Sequence, residues 1–585
     1  MTDTTLNPDS SGHTAPAGRS EKTFLGHPRG LVILFFTEMW ERFSYYGMRG
    51  LLILYLTQHF LFSDERSTVL YGAYTALVYV MTIIGGTLAD RFLGSRKAVT
   101  FGALLLVLGH FGMAFEGSGS RQMMTYNGAD YQLTLDGRGG DANQIIVSEQ
   151  GVSPISFSDG ATMLLIAEPQ AVGLPASIPT DSYTLRVETE SLYLNILYLS
   201  LALIIAGVGF LKANISTIVG SLYGFGDARR DSGFTIFYMG INLGAFISSI
   251  ACGYLGIAYG WKYGFGLAGI GMLAGLVIFL KYQDWLEGKA DPPSEDKLKE
   301  KALGPFNVEQ MCYLTGLGII IVSMVIVMNA HLVAEGYVGL LGIIVFVGLV
   351  VYAVTQCSGQ ERDRMLAGIY FVLAQIPFWA LFEQAGSSLN LFTDRLVDRT
   401  LFGMSVPAPV FQSLNAFFIV VFAPILAWLW ITLDKRNLNP STPVKFAIGV
   451  FMAGLGFLAL VAGMTVSGDT GMTAVYFIFL IYWIHTMGEL MVSPVGLSAV
   501  TKLAPAKAVG MTMGAWFLYS GLSNYLAGVI ASTTGAETIG GQIADVAAAK
   551  TTYADVYSQV GYIAMGIAIV MLVISPVIKR MMHSA

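Results

Sequence analysis

Fourteen separate stretches of mainly apolar residues run through this chain, most of them about the length a helix needs to cross a bilayer, ~20 residues. Twelve lie near 31–57, 69–88, 98–115, 192–220, 233–256, 262–282, 366–391, 411–432, 444–465, 473–497, 508–532 and 558–578, and two more, 311–329 and 336–355, fall between the sixth and the seventh. Only 12% of the residues are charged, against roughly 25% in soluble domains, so this chain cannot cover its own surface in water. The sequence therefore predicts an all-α membrane protein, in which each spanning segment satisfies its backbone polar groups internally. The even number of crossings puts both termini on one side. The net charge of −6 gives no basis for nucleic-acid binding. Cys252, Cys312 and Cys357 are far apart and show neither disulfide nor metal spacing. Residues 1–29 are polar and hold no apolar leader core, so no cleavable signal is expected.

Lysine and arginine orient such a chain. With the N-terminus in the cytoplasm, 22 of them fall in cytoplasmic loops or tails and 8 outside, with Arg42, Arg49 and Lys212 inside helices. Cytoplasmic termini are expected. The charged, proline-bearing segment 283–308 separates six front helices from a rear half, as in transporters built from two repeats. The expected units are a tail (1–29), a six-helix bundle (30–282), linkers with two extra helices (283–365) and a second six-helix bundle (366–585). Residues 117–190 form a polar insertion of the first bundle; DYQLTLDG (130–137), NQIIVSE (143–149) and SYTLRVE (182–188) alternate like short strands. A small β-rich structure on the outer face is expected, with no function legible in it.

The first helix carries the chemistry. Glu38, Arg42, Tyr46 and Arg49 fall on one helical stripe, with Glu41 and Tyr45 beside it. Each charge near the bilayer centre costs about 2.5–3.5 kcal/mol, so these groups must pair or face a wet cavity. A Glu38–Arg42 salt bridge that merely locks the helix would leave Glu41 and Arg49 unexplained. A carboxylate beside an arginine can take and release a proton as the pairing changes. Lys212 lies deep in the fourth span behind Gly207 and Gly209, with snorkelling to the cytoplasmic end as its plainer reading. Glu383 and Glu489 lie in rear-half spans and could form breakable pairs with the front-half cations. Tyr79, Asn242, Trp379, Asn415 and Trp516 also lie in apolar spans, where packing explains each one alone as well as ligand contact does. His110 and His485 are expected to be hydrogen-bonded core residues, although His485 precedes Glu489 by one helical turn.

Glu38-x-x-Glu41-Arg42-Phe43-Ser44-Tyr45-Tyr46-Gly47 closely resembles the helix-1 signature of the proton-dependent oligopeptide transporter family, within the major facilitator superfamily. Gly86-Thr87-Leu88-Ala89-Asp90-Arg91 with Gly94, Arg96 and Lys97 is similar to the superfamily's cytoplasmic loop motif. The stretch from Phe234 to Gly244, Phe382-Glu383-Gln384, Gln412-Ser413-Leu414-Asn415 and Gly488-Glu489-Leu490 with Ser493 to Ser498 resemble further family motifs. The resemblance implies a major facilitator fold of 12 core helices with two extra, in a bacterial inner membrane. It implies proton-coupled import of di- and tripeptides by alternating access, with no cofactor beyond the proton gradient and a monomer as the working unit. Arg49 and Lys212 would receive the peptide carboxylate; Asn242, Asn415 and Glu489 would hold its amino end. Tyr45, Tyr46, Tyr79, Trp379 and Trp516 would shape side-chain pockets, and Ser493 would join the substrate site. Glu38, Glu41 and Arg42, with Lys212, would couple protons, while Arg49–Glu383 and Lys212–Glu489 would be pairs across the two halves. Ala213 and Ala416 stand where relatives often carry proline, and no histidine like that of animal relatives occurs in helix 2.

Three rivals remain at the level of sequence. A carrier of nitrate or drugs is disfavoured because an anion site has little use for Glu489. A peptide receptor that moves nothing is the second. A membrane enzyme is the third, and no HExxH, GxSxG or paired-aspartate signature occurs in the helices.

Overall fold

The computed structural model describes residues 23–136, 143–224, 227–331, 337–468, 471–505, 507–539 and 542–583; within the N-terminal tail, residues 1–22 lie outside the described residues. Among them are fourteen α-helices of at least 20 residues. In chain order they are α1 (Gly30–Leu54), α2 (Asp64–Leu88), α3 (Gly94–Met113), α4 (Ser191–Ser221), α5 (Arg230–Ala258), α6 (Trp261–Tyr282), α7 (Val308–Met328), α8 (Tyr337–Gln356), α9 (Gly359–Phe382), α10 (Ser413–Asp434), α11 (Thr442–Val466), α12 (Tyr476–Leu503), α13 (Val509–Ser532) and α14 (Val546–Met581). By length and composition, 11 stretches qualify as membrane spans, one of them covering both α2 and α3. The first helix, α1, is not among them, because its four ionisable residues interrupt the apolar run.

Two apolar cores organise the helices. One extends from Leu31 to Ala330 and takes in α1–α7; the other extends from Leu349 to Met582 and takes in α8–α14. The extra pair is thus divided: α7 packs on the first half and α8 on the second. Lipid supplies no hydrophobic drive between helices, so close approach depends on small residues. A Cβ on Gly85 would stand 2.2 Å from the Gly209 carbonyl oxygen, and one on Gly102 would stand 2.6 Å from that of Gly207. These contacts seat α4 against α2 and α3, and so fix the position of Lys212 one turn beyond Gly209.

Several boundaries differ from the sequence expectation. The span expected at 366–391 begins at Gly359 and breaks: α9 ends at Phe382, a 3₁₀ turn covers Glu383–Gly386, and a second helix runs Ser388–Leu396. A Cβ at Gly386 would stand 1.9 Å from the Tyr71 hydroxyl, so the break is packed directly on α2. The final helix starts at Val546, twelve residues before the apolar run at 558–578, capped by the Asp545 side chain, which accepts from the Ala548 backbone N–H. The linker after α6 folds back on the start of α3, where Arg96 reaches Asp291 at 2.5 Å, and beside it Lys97 reaches Glu309 at the start of α7 at 2.7 Å.

The insertion between α3 and α4 is larger than the hairpins legible in sequence. It forms one antiparallel sheet of seven strands: β1 (Ser120–Tyr126), β2 (Ala129–Asp136), β3 (Asn143–Val147), β4 (Val152–Phe157), β5 (Met163–Ile166), β6 (Ser177–Pro179) and β7 (Thr184–Thr189). Their spatial order is β6-β5-β4-β3-β2-β1-β7, so the last strand returns to pair with the first. Met124, Leu133, Ile146, Leu164 and Ile178 build a core of its own, which accounts for how a polar segment folds beside a membrane domain. The end of the molecule that carries this sheet is the insertion face, and the opposite end, where α1 begins and α14 ends, is the terminal face.

Gly72 of α2 and Gly528 of α13 meet between the halves; a Cβ on either would stand 2.8 Å from the other's Cα. Gly72→Val should force these helices apart and destabilise the state closed at the insertion face. A lower melting temperature in detergent, with Gly86→Ala as a control facing a contact of ordinary length (3.5 Å), is the expected result.

Candidate functional site

A cavity of about 310 Å³ lies between the two halves, within the size range of small-ligand sites. Twelve of the fifteen site residues expected from the sequence line it: Glu38, Arg42, Tyr46 and Arg49 from α1, Tyr79 from α2, Lys212 from α4, Asn242 from α5, Trp379 from α9, Asn415 from α10, Glu489 and Ser493 from α12, and Trp516 from α13. The 3.6-residue period of α1 points its charged stripe inward, as a span in lipid requires.

The charges are arranged in three groups. Arg42 Nε lies 3.1 Å from Glu38 and also pairs with Glu41, all three being buried. Both oxygens of Glu41 are buried and accept no hydrogen bond among the described residues, so this carboxylate rests on one guanidinium alone. Arg49 pairs across the halves with Glu383 and donates from Nε to the Tyr71 hydroxyl at 2.7 Å. Glu489 accepts from Asn415 Nδ2 at 2.7 Å, and the same amide reaches the Thr486 hydroxyl at 3.1 Å. One wall is therefore cationic and comes from the first half; the facing wall presents Glu489 and comes from the second.

Some expected placements do not hold. Lys212 and Glu489 line one cavity but form no ion pair among the described residues. The Lys212 ammonium stands 4.0 Å over the Tyr79 ring, while Asn415 occupies Glu489. Tyr45 does not line the cavity: it is buried in the core of the first half, with the Arg42 guanidinium 5.3 Å over its ring, because it is turned away from the charged stripe. Glu41 and Glu383 are also absent from the lining and act on it through Arg42 and Arg49. His485 bonds the Ala453 carbonyl at 3.0 Å and packs on Phe457, the hydrogen-bonded arrangement expected for it, but it also lines the cavity. His110 is fully buried, but neither ring nitrogen has a partner among the described residues.

Sequence reasoning missed a second buried ion pair between the halves. Arg395, on the short helix after the α9 break, holds Asp64 at the start of α2 with contacts of 2.6 and 2.9 Å. Asp64 also accepts from the Ala536 backbone N–H at 3.1 Å. Gln58 donates to Asp394 at 2.7 Å, and Asn390 donates to the Gly50 carbonyl at 2.9 Å. All these contacts lie at the insertion face and close the cavity there. The two charges sit at helix ends, where sequence alone reads them as solvated. Gln412 was also missed as a site residue; it lines the cavity, and its Nε2 is buried without a partner among the described residues.

Two helical halves around a buried, charge-lined cavity, closed at one end by breakable ion pairs, define a carrier-type membrane protein. The chain belongs to the POT family, whose model matches residues 96–546. It is 34% identical over 578 residues to the uncharacterized transporter YclF of Bacillus subtilis, covering 96% of each chain. It is 32% identical to the peptide transporter YePEPT of Yersinia enterocolitica, covering 88% of this chain and 89% of that one. It also resembles a crystal structure of a peptide transporter POT in complex with alafosfalin, at 32% identity and a TM-score of 0.72, covering 96% of this chain and 97% of that one. The twelve core helices with an inserted pair are the major facilitator arrangement expected of this family.

Arg395→Ala would leave Asp64 buried and unpaired, at a cost of about 3–5 kcal/mol. The double variant Asp64→Ala/Arg395→Ala should lose less stability than the two single variants added together, as read from thermal unfolding of the purified protein.

Proposed function

We propose that this protein imports di- and tripeptides together with protons, by alternating access across the bacterial inner membrane, with both termini in the cytoplasm. The observation that carries this reading is the split polarity of the cavity, with Arg49 and Lys212 on one wall and Glu489 with Asn415 on the other. A small peptide is a zwitterion, and such a cavity matches its two ends. Relatives named dipeptide and tripeptide permease, such as that of Aliivibrio fischeri at 29% identity over 96% of this chain, support the substrate class.

In this reading Lys212 and Arg49 receive the carboxylate, while Glu489, Asn415 and Asn242 hold the amino end. Tyr46, Tyr79, Trp379 and Trp516 accept varied side chains, and Ser493 adds a hydroxyl beside Glu489. A carboxylate on Arg49 shares its guanidinium with Glu383, so substrate binding weakens one of the ion pairs that bridge the halves. Protonation of Glu41 or Glu38 frees Arg42 from its carboxylates and alters the field at Lys212. Coupling thus acts on α1 directly. One pH unit supplies ~1.4 kcal/mol per proton and 100 mV supplies ~2.3 kcal/mol, enough for accumulation of several hundredfold at ~1.4 kcal/mol per decade. The reading is of a carrier, with no chemical step on the peptide.

Uptake of a labelled dipeptide into proteoliposomes under an acid-outside gradient tests the proposal. Accumulation should be competed by tripeptides and not by nitrate; competition by nitrate alone would overturn the substrate class. Glu41→Gln should remove gradient-driven accumulation and leave dipeptide counterflow near the original rate. Loss of both in a normally folded variant would give Glu41 a structural role.

A further inference from the structure

A second cavity of about 660 Å³ lies outside the central one. It is a crevice between α10 and α12, toward the terminal face, with Tyr238 of α5 on its wall. Pro424 and Pro494 lie within these two helices, and a proline within a helix removes one backbone hydrogen bond. The walls are largely apolar, from Ala423, Leu426 and Ala427 on one side to Leu490, Val495 and Ala499 on the other. The helix α10, which forms one wall, is the least buried of the candidate spans, so this wall of the crevice is a helix that faces lipid.

Its mouth is basic. Lys502 lines the crevice, and Lys445 stands 4.3 Å over the ring of Trp430, which also lines it. Thr442 adds a hydroxyl to the lining, Asp434 is near enough to Lys445 to interact with its charge, and of the two lysines Lys502 lines the crevice directly. Acyl chains gain nothing by leaving bulk lipid for an apolar crevice, so any preference must come from the headgroup.

We propose that this crevice binds an anionic phospholipid from the leaflet at the terminal face, with its headgroup phosphate at Lys502, Lys445 and Thr442 and one acyl chain between α10 and α12. The crevice and the central cavity share Tyr238, Glu489, Ser493 and Leu497, so the bound chain ends beside the group that would hold the peptide's amino end. The lipid would then contact the substrate site laterally, without entering it.

Trp430 reports occupancy, because bromine on an acyl chain quenches nearby tryptophan. The full-length protein is reconstituted in phosphatidylcholine vesicles with increasing fractions of brominated phosphatidylglycerol or, separately, brominated phosphatidylcholine. The Trp430 contribution is obtained by subtracting the Trp430→Phe variant. Brominated phosphatidylglycerol should quench it at low mole fraction, and Lys445→Gln/Lys502→Gln should raise the fraction needed by roughly tenfold or more, as each lysine near an anionic headgroup contributes about fivefold. Equal quenching by both lipids, or an unchanged midpoint in the double variant, would reduce the crevice to ordinary lipid contact. Release of the quench by saturating dialanine would instead assign the crevice to substrate. A single-lysine series, with Lys502→Gln giving the larger shift, separates the effect from a folding defect.

Discussion

An ionised side chain cannot stand alone in hydrocarbon, and α1 carries four of them within one span. The packing around α1 follows from that constraint. The helix must be ringed by partners, and close packing achieves this: a Cβ at Gly244 would stand 2.2 Å from the Met39 carbonyl oxygen, and one at Gly47 would stand 2.6 Å from Cys252 Sγ. With α5 and α6 covering its apolar sides, the charged stripe has one direction left, toward the interface between the halves. The cavity is therefore as much the consequence of placing these charges as it is their purpose.

Two buried ion pairs bridge the halves at the insertion face, Arg49–Glu383 and Asp64–Arg395, and both involve the segment around the break after α9. Buried pairs give little net stability compared with apolar packing, but breaking one by removing a partner is costly. Such contacts suit a boundary that must be well defined when closed and still able to open. Glu383 lies in the 3₁₀ turn itself, where backbone geometry, rather than a long regular helix, sets its reach toward Arg49. A ligand that draws on Arg49 has differential affinity for the two arrangements, which is what shifting a population between them requires.

Much of this was legible in the chain. The number of spans and the inward stripe of α1 follow from hydropathy and the helical period, both of which are local properties. The break at Glu383–Gly386 falls where the polar run Glu383-Gln384-Ala385-Gly386-Ser387 interrupts apolar sequence on both sides, but the sequence expectation carries a single span through it, and Gly386 shows its purpose only once Tyr71 is placed against it. The Asp64–Arg395 pair joins residues 331 positions apart, and no local pattern marks a charge at a helix end as buried. Tyr45 and Tyr46 are adjacent aromatics with the same composition signal, yet one faces the core and the other the cavity. Side-chain direction separated them, whereas the family resemblance assigned both to the site. Pairing is the least legible level: Lys212 and Glu489 share a chamber, but which neighbour each engages depends on the conformation adopted.

The sheet between α3 and α4 begins and ends on neighbouring strands, since β1 and β7 are paired from Ser120↔Thr189 to Thr125↔Thr184. Its entry and exit are thus held side by side at the spacing of a β ladder, ~5 Å. The helices it interrupts need not spread to accommodate it. Topologically the module is a graft on a stalk, able to be lengthened, shortened or exchanged during evolution while the helical body below keeps its registration.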